Sequence, residues 1–461
     1  MSQLKKVLFI CAAGLLASSV MASAQVTPQE AQQLKTTLTP LGGEKAGNAN
    51  GTIPAWTGGM TTVPPGYWHG ERRGDPFANE KPLFSITAQN MDKYADKLTD
   101  GTKAMLKRYP TTYRVDVYPT HRTAAAPQWV YDNTFRNATR SKIVELHSGP
   151  TPFGAYGGIP FPIPTTGAQV MWNHLLHWRG QDWHFDVDQY LGTADGRLVL
   201  STDGQAEQAM PYYYKELGSY EEYMKKYNGD YWLLRLINSG PPIRAGEAIA
   251  GRENLDDDKT NSWVYLTGQR RVRKLPNPCC DTPTPATAGV LSFDELEVFS
   301  GRMDRFNWKL IGKKEMYIPY NDNKIMQTSK DSDILMPHHL NPNNLRWELH
   351  RVWVVEATLA PGHRHQAVRN LYYIDEDSWQ AVLGDRWDSK GQLWKTLWAL
   401  PMLLPDLPAV TNLNFGFYDM TSGAWYSANM YNQKSEQYKI ESKHWPDSTF
   451  TGDALAGEGV R

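Results

Sequence analysis

Cysteine is scarce: the 461-residue chain has three, Cys11, Cys279 and Cys280. So few exclude a disulfide framework, and with no CxxC partner the adjacent pair excludes a cysteine-based zinc centre. That pair, in Pro276-Asn-Pro-Cys-Cys-Asp281, reads as an oxidised loop staple, with a redox-active pair as the alternative. An excess of one charge is also missing. There are 48 basic and 49 acidic residues, a formal net charge of -1, which excludes a strongly basic nucleic-acid binder. Beyond the first 24 residues no long apolar run occurs. The most apolar stretch, 397–410, is interrupted by Pro401, Pro405 and Pro408, so no membrane span is expected. Reaction signatures are lacking as well: there is no G-x-S-x-G elbow, Walker A loop, Rossmann glycine fingerprint or HExxH helix. No catalytic residue, metal or cofactor is therefore assigned.

Aromatic side chains are plentiful: 17 Trp, 24 Tyr and 13 Phe. So many rings suit half-buried strands or the walls of a cavity. Residues 1–24 read as a secretory signal peptide. Lys5 and Lys6 start it, an apolar run follows, and Ala22-Ser-Ala24 forms the cleavage site. Cys11 follows Ile10, where a lipobox needs a small residue, so lipid anchoring is not expected. The expected location is periplasmic, with the periphery of the outer membrane as an alternative.

Residues 25–150 read as an irregular region with a few helices: 28–38, a segment capped by Thr87, and 136–146. A stiff Pro/Gly connector at 154–164 leads to a helix at 168–178. Thereafter the period changes to two. Strands are predicted at 183–191 and 197–201, joined by the Asp195-Gly196 turn, and at 263–266, 272–275, 308–319, 346–359, 369–374, 379–387 and 392–398. The run 346–398 predicts a β-meander, and successive antiparallel strands predict one curved sheet. Residues 151–445 form the main domain in this reading, and 446–461 a C-terminal tail.

Several phrases carry a family resemblance: Ala46-Gly-Asn-Ala-Asn-Gly-Thr-Ile-Pro-Ala-Trp-Thr-Gly-Gly59, Gly158-Ile-Pro-Phe-Pro162, Met171-Trp-Asn-His-Leu175, Gly268-Gln-Arg-Arg-Val-Arg273, Asp304-Arg-Phe-Asn-Trp308 and Gly312-Lys-Lys-Glu-Met-Tyr-Ile-Pro-Tyr-Asn321. Through them the chain resembles a domain-of-unknown-function family of exported Gram-negative proteins, described as outer-membrane lipoprotein-sorting-like. That family is similar to the LolA/LolB lipoprotein-localisation fold. The resemblance implies an α+β protein with a strongly curved antiparallel sheet, an incomplete β-barrel, whose concave face is closed by helices. The N-terminal region would be an irregular extension of it. It also implies that a lipid or other hydrophobic molecule is held there, and that an outer-membrane protein and a resistance-nodulation-division permease are partners.

The rings expected to line the concave side are Trp347, Trp353, Tyr372, Trp379, Trp387 and Trp394; filling a solid core is the alternative. Strict alternation cannot place Trp347, Leu349 and Trp353 on one face without bringing Arg351 inside or bulging the strand. Arg270, Arg271 and Arg273 suit an anionic headgroup or partner, or else pair with Asp256, Asp257, Asp258 or Glu295. His174 and His177, one helical turn apart, lie near His184 in sequence. With His338-His339 and His363-x-His365, they lack a third convergent ligand, and His174 is expected to make a structural hydrogen bond. The expected function is carriage of a hydrophobic molecule. The alternatives are an adaptor between permease and outer-membrane protein, and a hydrolase of sugars or esters using Asp294, Glu295 or Glu297.

Overall fold

A computed structural model describes residues 26–65, 73–276, 279–434 and 438–458. The expected signal peptide, its cleavage site and Cys11 lie outside the described residues. In chain order the strands are β1 (Phe84–Ile86), β2 (Val115–Val117), β3 (Lys142–Leu146), β4 (Gly149–Phe153), β5 (Asp182–Gly192) and β6 (Leu198–Ala209). Then come β7 (Asp230–Gly240), β8 (Ala248–Asn254), β9 (Asn261–Leu266), β10 (Arg271–Lys274), β11 (Phe306–Pro319) and β12 (Trp347–Leu359). The last are β13 (Arg369–Asp375), β14 (Ala381–Trp387), β15 (Leu393–Leu404), β16 (Ala409–Asp419), β17 (Trp425–Met430) and β18 (Lys439–Ile440). The helices are α1 (Pro28–Ala31), α2 (Asp100–Arg108), α3 (Gln128–Arg140), α4 (Gly167–Leu175), α5 (Tyr220–Tyr227) and α6 (Gly452–Glu458).

Sixteen of the strands form one sheet. β12 to β17 pair in sequence order, and so do β5 to β10; β17 pairs with β5 and joins the two meanders. β11 also lies along β12, and β1 and β2 extend the sheet from the N-terminal region. The fold is therefore α+β, with a large, strongly curved antiparallel sheet that stays open. Register shifts recur at Gln189/Tyr190, Tyr373/Ile374, Arg386/Trp387 and Leu400/Pro401. Such bulges bend strands and raise their twist. The last one also explains how Pro401 sits inside a central strand: the ladder is already broken there. The proline-interrupted apolar stretch is thus the β15–β16 hairpin.

Both faces of the second meander are covered. Every residue of β14 is buried. Asp385 accepts from the Gly101 backbone of α2 at 3.0 Å, whereas its neighbour Arg386 reaches Asp294 at 3.1 Å. Adjacent strand residues point to opposite faces. Hence α2 covers one side, and the 3-10 segment Phe293–Val298 covers the other with α4. A Cβ at Gly101 would meet Thr396 Oγ1 at 2.1 Å, so this glycine serves close packing rather than breaking the helix.

Several local expectations are corrected. The helix expected at 136–146 is α3, 128–140, followed by β3, because Ile143 and Val144 alternate within a ribbon paired to β4. Thr99, not Thr87, caps α2. The 28–38 segment is the short α1, closed by a Thr27/Glu30 capping box, and then a 3-10 turn. Strand β12 keeps its register against β13, and Arg351 is buried in ion pairs with Glu376 at 3.2 Å and Glu44 at 3.5 Å.

The glycine-rich phrase 46–59 folds around Arg122. That guanidinium grips Asp377 with two bonds of 2.8 and 2.6 Å and donates to the carbonyls of Glu44 at 2.6 Å and Pro54 at 3.3 Å. Its side chain is 2% exposed. Removing one partner strands buried Asp377, so Arg122→Ala is expected to cost about 3–5 kcal/mol. Urea denaturation measures this, and a loss below about 1 kcal/mol would contradict the role given to the clasp.

Candidate functional site: an apolar hollow on one face of the sheet

Cross-strand pairs share a face, so the register defines a surface. Phe185 faces Ala206, Ala206 faces Leu236, and Leu236 faces Ile249. A second row runs through Gln208, Leu234, Gly251 and Ser262. Trp232 and Glu253 begin a third. Together with Val187 and Phe415 these residues wall a hollow whose cover is the segment 284–297, through Thr284, Thr287, Phe293, Leu296 and Glu297. The atom-free space is about 780 Å³ counting its opening to solvent, of which about 70 Å³ can hold the centre of a water molecule. That suffices for about five waters. A long chain enters only if the cover shifts.

The cover is anchored by buried ion pairs, Asp294 with Arg386 at 3.1 Å and with His365 at 2.9 Å, and Glu295 with Lys395 at 2.7 Å. Glu297 accepts from the Arg179 guanidinium, which also lies 4.9 Å from the Trp232 ring. Glu297 and Val298 both take left-handed backbone angles, φ 49° and 76°. A β-branched residue rarely adopts that conformation, so strain is stored where the cover meets the hollow. Trp232 Nε1 donates to Gln208 at 2.9 Å, which satisfies two polar groups of the wall. Glu253 differs. Burial, then the nearby Asp257 and Asp230 carboxylates, push its carboxyl up to about 8. The shift favours the protonated form, which can donate a hydrogen bond into an apolar space.

None of the six rings expected from sequence lines this hollow. Trp353 stacks on Trp379, centroids 6.1 Å apart, and Lys313 lies over it. Tyr372 packs on Phe299 at 5.5 Å. Trp387 lies under Arg369 at 4.4 Å and Trp394 under Lys395 at 4.6 Å. Trp347 borders a smaller gap with Trp398 and Met105. Trp347, Tyr372, Trp379 and Trp387 are buried, whereas Trp353 and Trp394 are half-buried.

Arg270, Arg271 and Arg273 are exposed, the last two on β10, the terminal strand. The acids considered as their partners are engaged elsewhere: Asp256 with Lys259, Asp257 and Asp258 with Arg302, and Glu295 with Lys395. His174 hydrogen-bonds at both ring nitrogens, to the Phe299 carbonyl and the Ala381 amide, each at 3.0 Å. Of the acids considered for hydrolysis, each is ion-paired. Asp294, despite its burial, is held well below the usual carboxylate range by Arg386 and His365. The wall residues were detectable only in part: Phe185, Val187 and Gln189 alternate in a predicted strand, but β7 and β8 gave no period-two signal.

These features define an α+β protein with an open curved sheet and one apolar hollow on its face. The chain belongs to the family described as Protein of unknown function (DUF1329), whose model matches residues 85–456. It is 39% identical over 462 residues, 98% of each chain, to the uncharacterized protein PA3922 of Pseudomonas aeruginosa. Among solved structures it is similar to a DUF1329 family protein from Desulfovibrio piger: 13% identity, 63% of this chain and 97% of that one, TM-score 0.43. It is also similar to the LolA superfamily protein NE2245 from Nitrosomonas europaea: 12% identity, 63% and 100% of the two chains, TM-score 0.36.

Glu253 supplies a pH signature. Its folded value lies above the ordinary 4.5, so the protonated folded form contributes stability fully below pH 4.5, and that contribution is lost as pH rises to about 8. Glu253→Gln is expected to flatten the decline of Tm across that window. Identical pH profiles for the two proteins would refute the assignment.

Proposed function

We propose that the protein is a periplasmic carrier that shelters a lipid or other hydrophobic molecule in the hollow under β5 to β9. The observation that carries this reading is one sheet face lined by Phe185, Val187, Leu234, Leu236, Ile249 and Phe415 and left partly unfilled. Burying a methylene contributes about 0.8 kcal/mol, so a chain needs few polar contacts to be retained. Entry requires Leu296 and Glu297 to move off the wall while the ion-paired Asp294 and Glu295 stay in place. The neutral Glu253 carboxyl is placed to hydrogen-bond an ester, hydroxyl or acid on the ligand. The leader-like residues 1–24 and the family resemblance support the periplasmic address.

Gly251 offers a clean test. A Cβ there would meet only Ser262 Oγ, at 3.7 Å, and the residue faces the hollow. Gly251→Trp should therefore fill the space without straining the backbone. Delipidated wild type is expected to take up a fluorescent fatty acid, and the variant to bind it at least tenfold more weakly with an unchanged or higher Tm. Equal uptake by both, or no uptake of any apolar probe by the wild type, would overturn the carrier reading.

A second reading is an adaptor between an outer-membrane protein and a resistance-nodulation-division permease. It is favoured by the exposed Arg271 and Arg273 on the terminal strand, whose ladder edge pairs with no further strand among the described residues.

A further inference from the structure

A second polar centre lies apart from the hollow, between β12 and the turn after β13. His350, Asp375 and Asp377 are all buried, and each offers a ligand atom within 4.8 Å of the others. His350 Nε2 lies 3.1 Å from Glu348 Oε2. Glu348 is itself gripped by Arg346 at 2.5 Å and Asn321 at 2.9 Å, so it is an anionic acceptor and Nε2 carries the proton. Nδ1 lies 3.7 Å from Asp375 Oδ1, too far for a hydrogen bond. Asp375 Oδ2 is satisfied by the Ser378 amide at 2.8 Å and its hydroxyl at 2.7 Å. Oδ1 has no hydrogen-bond partner, although Asp375 is wholly buried. The Tyr320 hydroxyl is buried and unpartnered too, and its ring sits 4.0 Å from that of His350.

A buried carboxylate oxygen with no hydrogen-bond partner among the described residues thus lies beside a ring nitrogen, at a distance no hydrogen bond spans. We propose that His350, Asp375 and Asp377 hold a divalent first-row metal ion, zinc by preference, as a structural centre. Tetrahedral ligands about 2.1 Å from zinc lie about 3.4 Å apart, and the His350–Asp375 pair, at 3.7 Å, is near that spacing. The Glu348–His350 bond reproduces the carboxylate that orients and strengthens a metal-ligating histidine. Asp377 donates its oxygens to two tasks, because each carboxylate oxygen keeps a second lone pair after accepting from Arg122. Mixed nitrogen and oxygen ligands favour zinc over calcium or magnesium. The ion would tie the β13–β14 turn to β12 and, through Asp377 and Arg122, to the phrase 46–59.

The full-length protein is stripped with a chelator and then offered zinc, manganese or cobalt singly. The expected result is uptake of one zinc or cobalt ion per chain, a higher Tm, and a cobalt visible spectrum of nitrogen and oxygen ligation without a thiolate charge-transfer band. Asp375→Asn should weaken uptake at least tenfold, and the Cys279→Ser/Cys280→Ser double variant should leave it unchanged. If Asp375→Asn does not fold, the wild-type stoichiometry and the cysteine variant decide alone. Sub-stoichiometric uptake of every metal by the wild type overturns the proposal in favour of a proton or water between His350 and Asp375. Uptake that survives in folded Asp375→Asn, or that is lost in the cysteine variant, overturns it too.

Discussion

The buried grip of Arg122 on Asp377 is the contact on which the arrangement of the chain depends. A wide antiparallel sheet ordinarily leaves one face to water. Here the second meander is buried on both faces, and the outer cover comes from residues far away in sequence. An apolar cover alone could slide over an apolar sheet. A guanidinium held by one carboxylate and several backbone carbonyls cannot, because any shift leaves buried charge without a partner. The N-terminal segment is thereby held in one place by polar geometry and kept dry by Leu41, Ile53 and Val115 in the common core.

The two halves of the sheet solve burial differently. Around β12 to β15 large rings and helices fill the space, and the polar groups that remain are drawn into ion pairs such as Asp294 with Arg386 and Glu295 with Lys395. Around β5 to β9 the cover is only a 3-10 segment with a left-handed kink, and it does not reach the sheet everywhere. A helix would present a regular ridge of side chains; a short kinked segment presents a few. Packing deficit and a left-handed backbone kink occur in the same place.

The sequence made the architecture legible where only one face was at stake or a turn was explicit. The Asp195-Gly196 hairpin and the run of short connections from 346 to 398 are both present as read. Strands buried on both sides lose their alternation: Leu233-Leu234 in β7 and Ala248-Ile249-Ala250 in β8 read as nothing in particular. The wall of the hollow was largely hidden for that reason. Tryptophan was a poor guide because ring size does not announce emptiness: Trp232, on a strand without a period-two signal, walls the hollow, while Trp379 is fully buried elsewhere. Glu253 is unremarkable in sequence; its character comes from Asp230 and Asp257, which only the β7–β8 pairing and the turn after β8 bring near. Nothing in sequence shows that Asp294 and Glu295 are buried, since their partners Arg386 and Lys395 lie 92 and 100 residues further on.

The seam between the two meanders has a consequence for how the molecule is made. Tyr426 of β17 meets Leu191 of β5, so the sheet cannot be completed until the last tenth of the chain is available. While the chain emerges from its N-terminus, β5 presents a bare ladder and half of an apolar hollow to its surroundings. Contacts of such long range make assembly slow and leave intermediates prone to association. A protein built this way needs a sheltered interval between synthesis and closure, and its first apolar guest is its own unfinished edge.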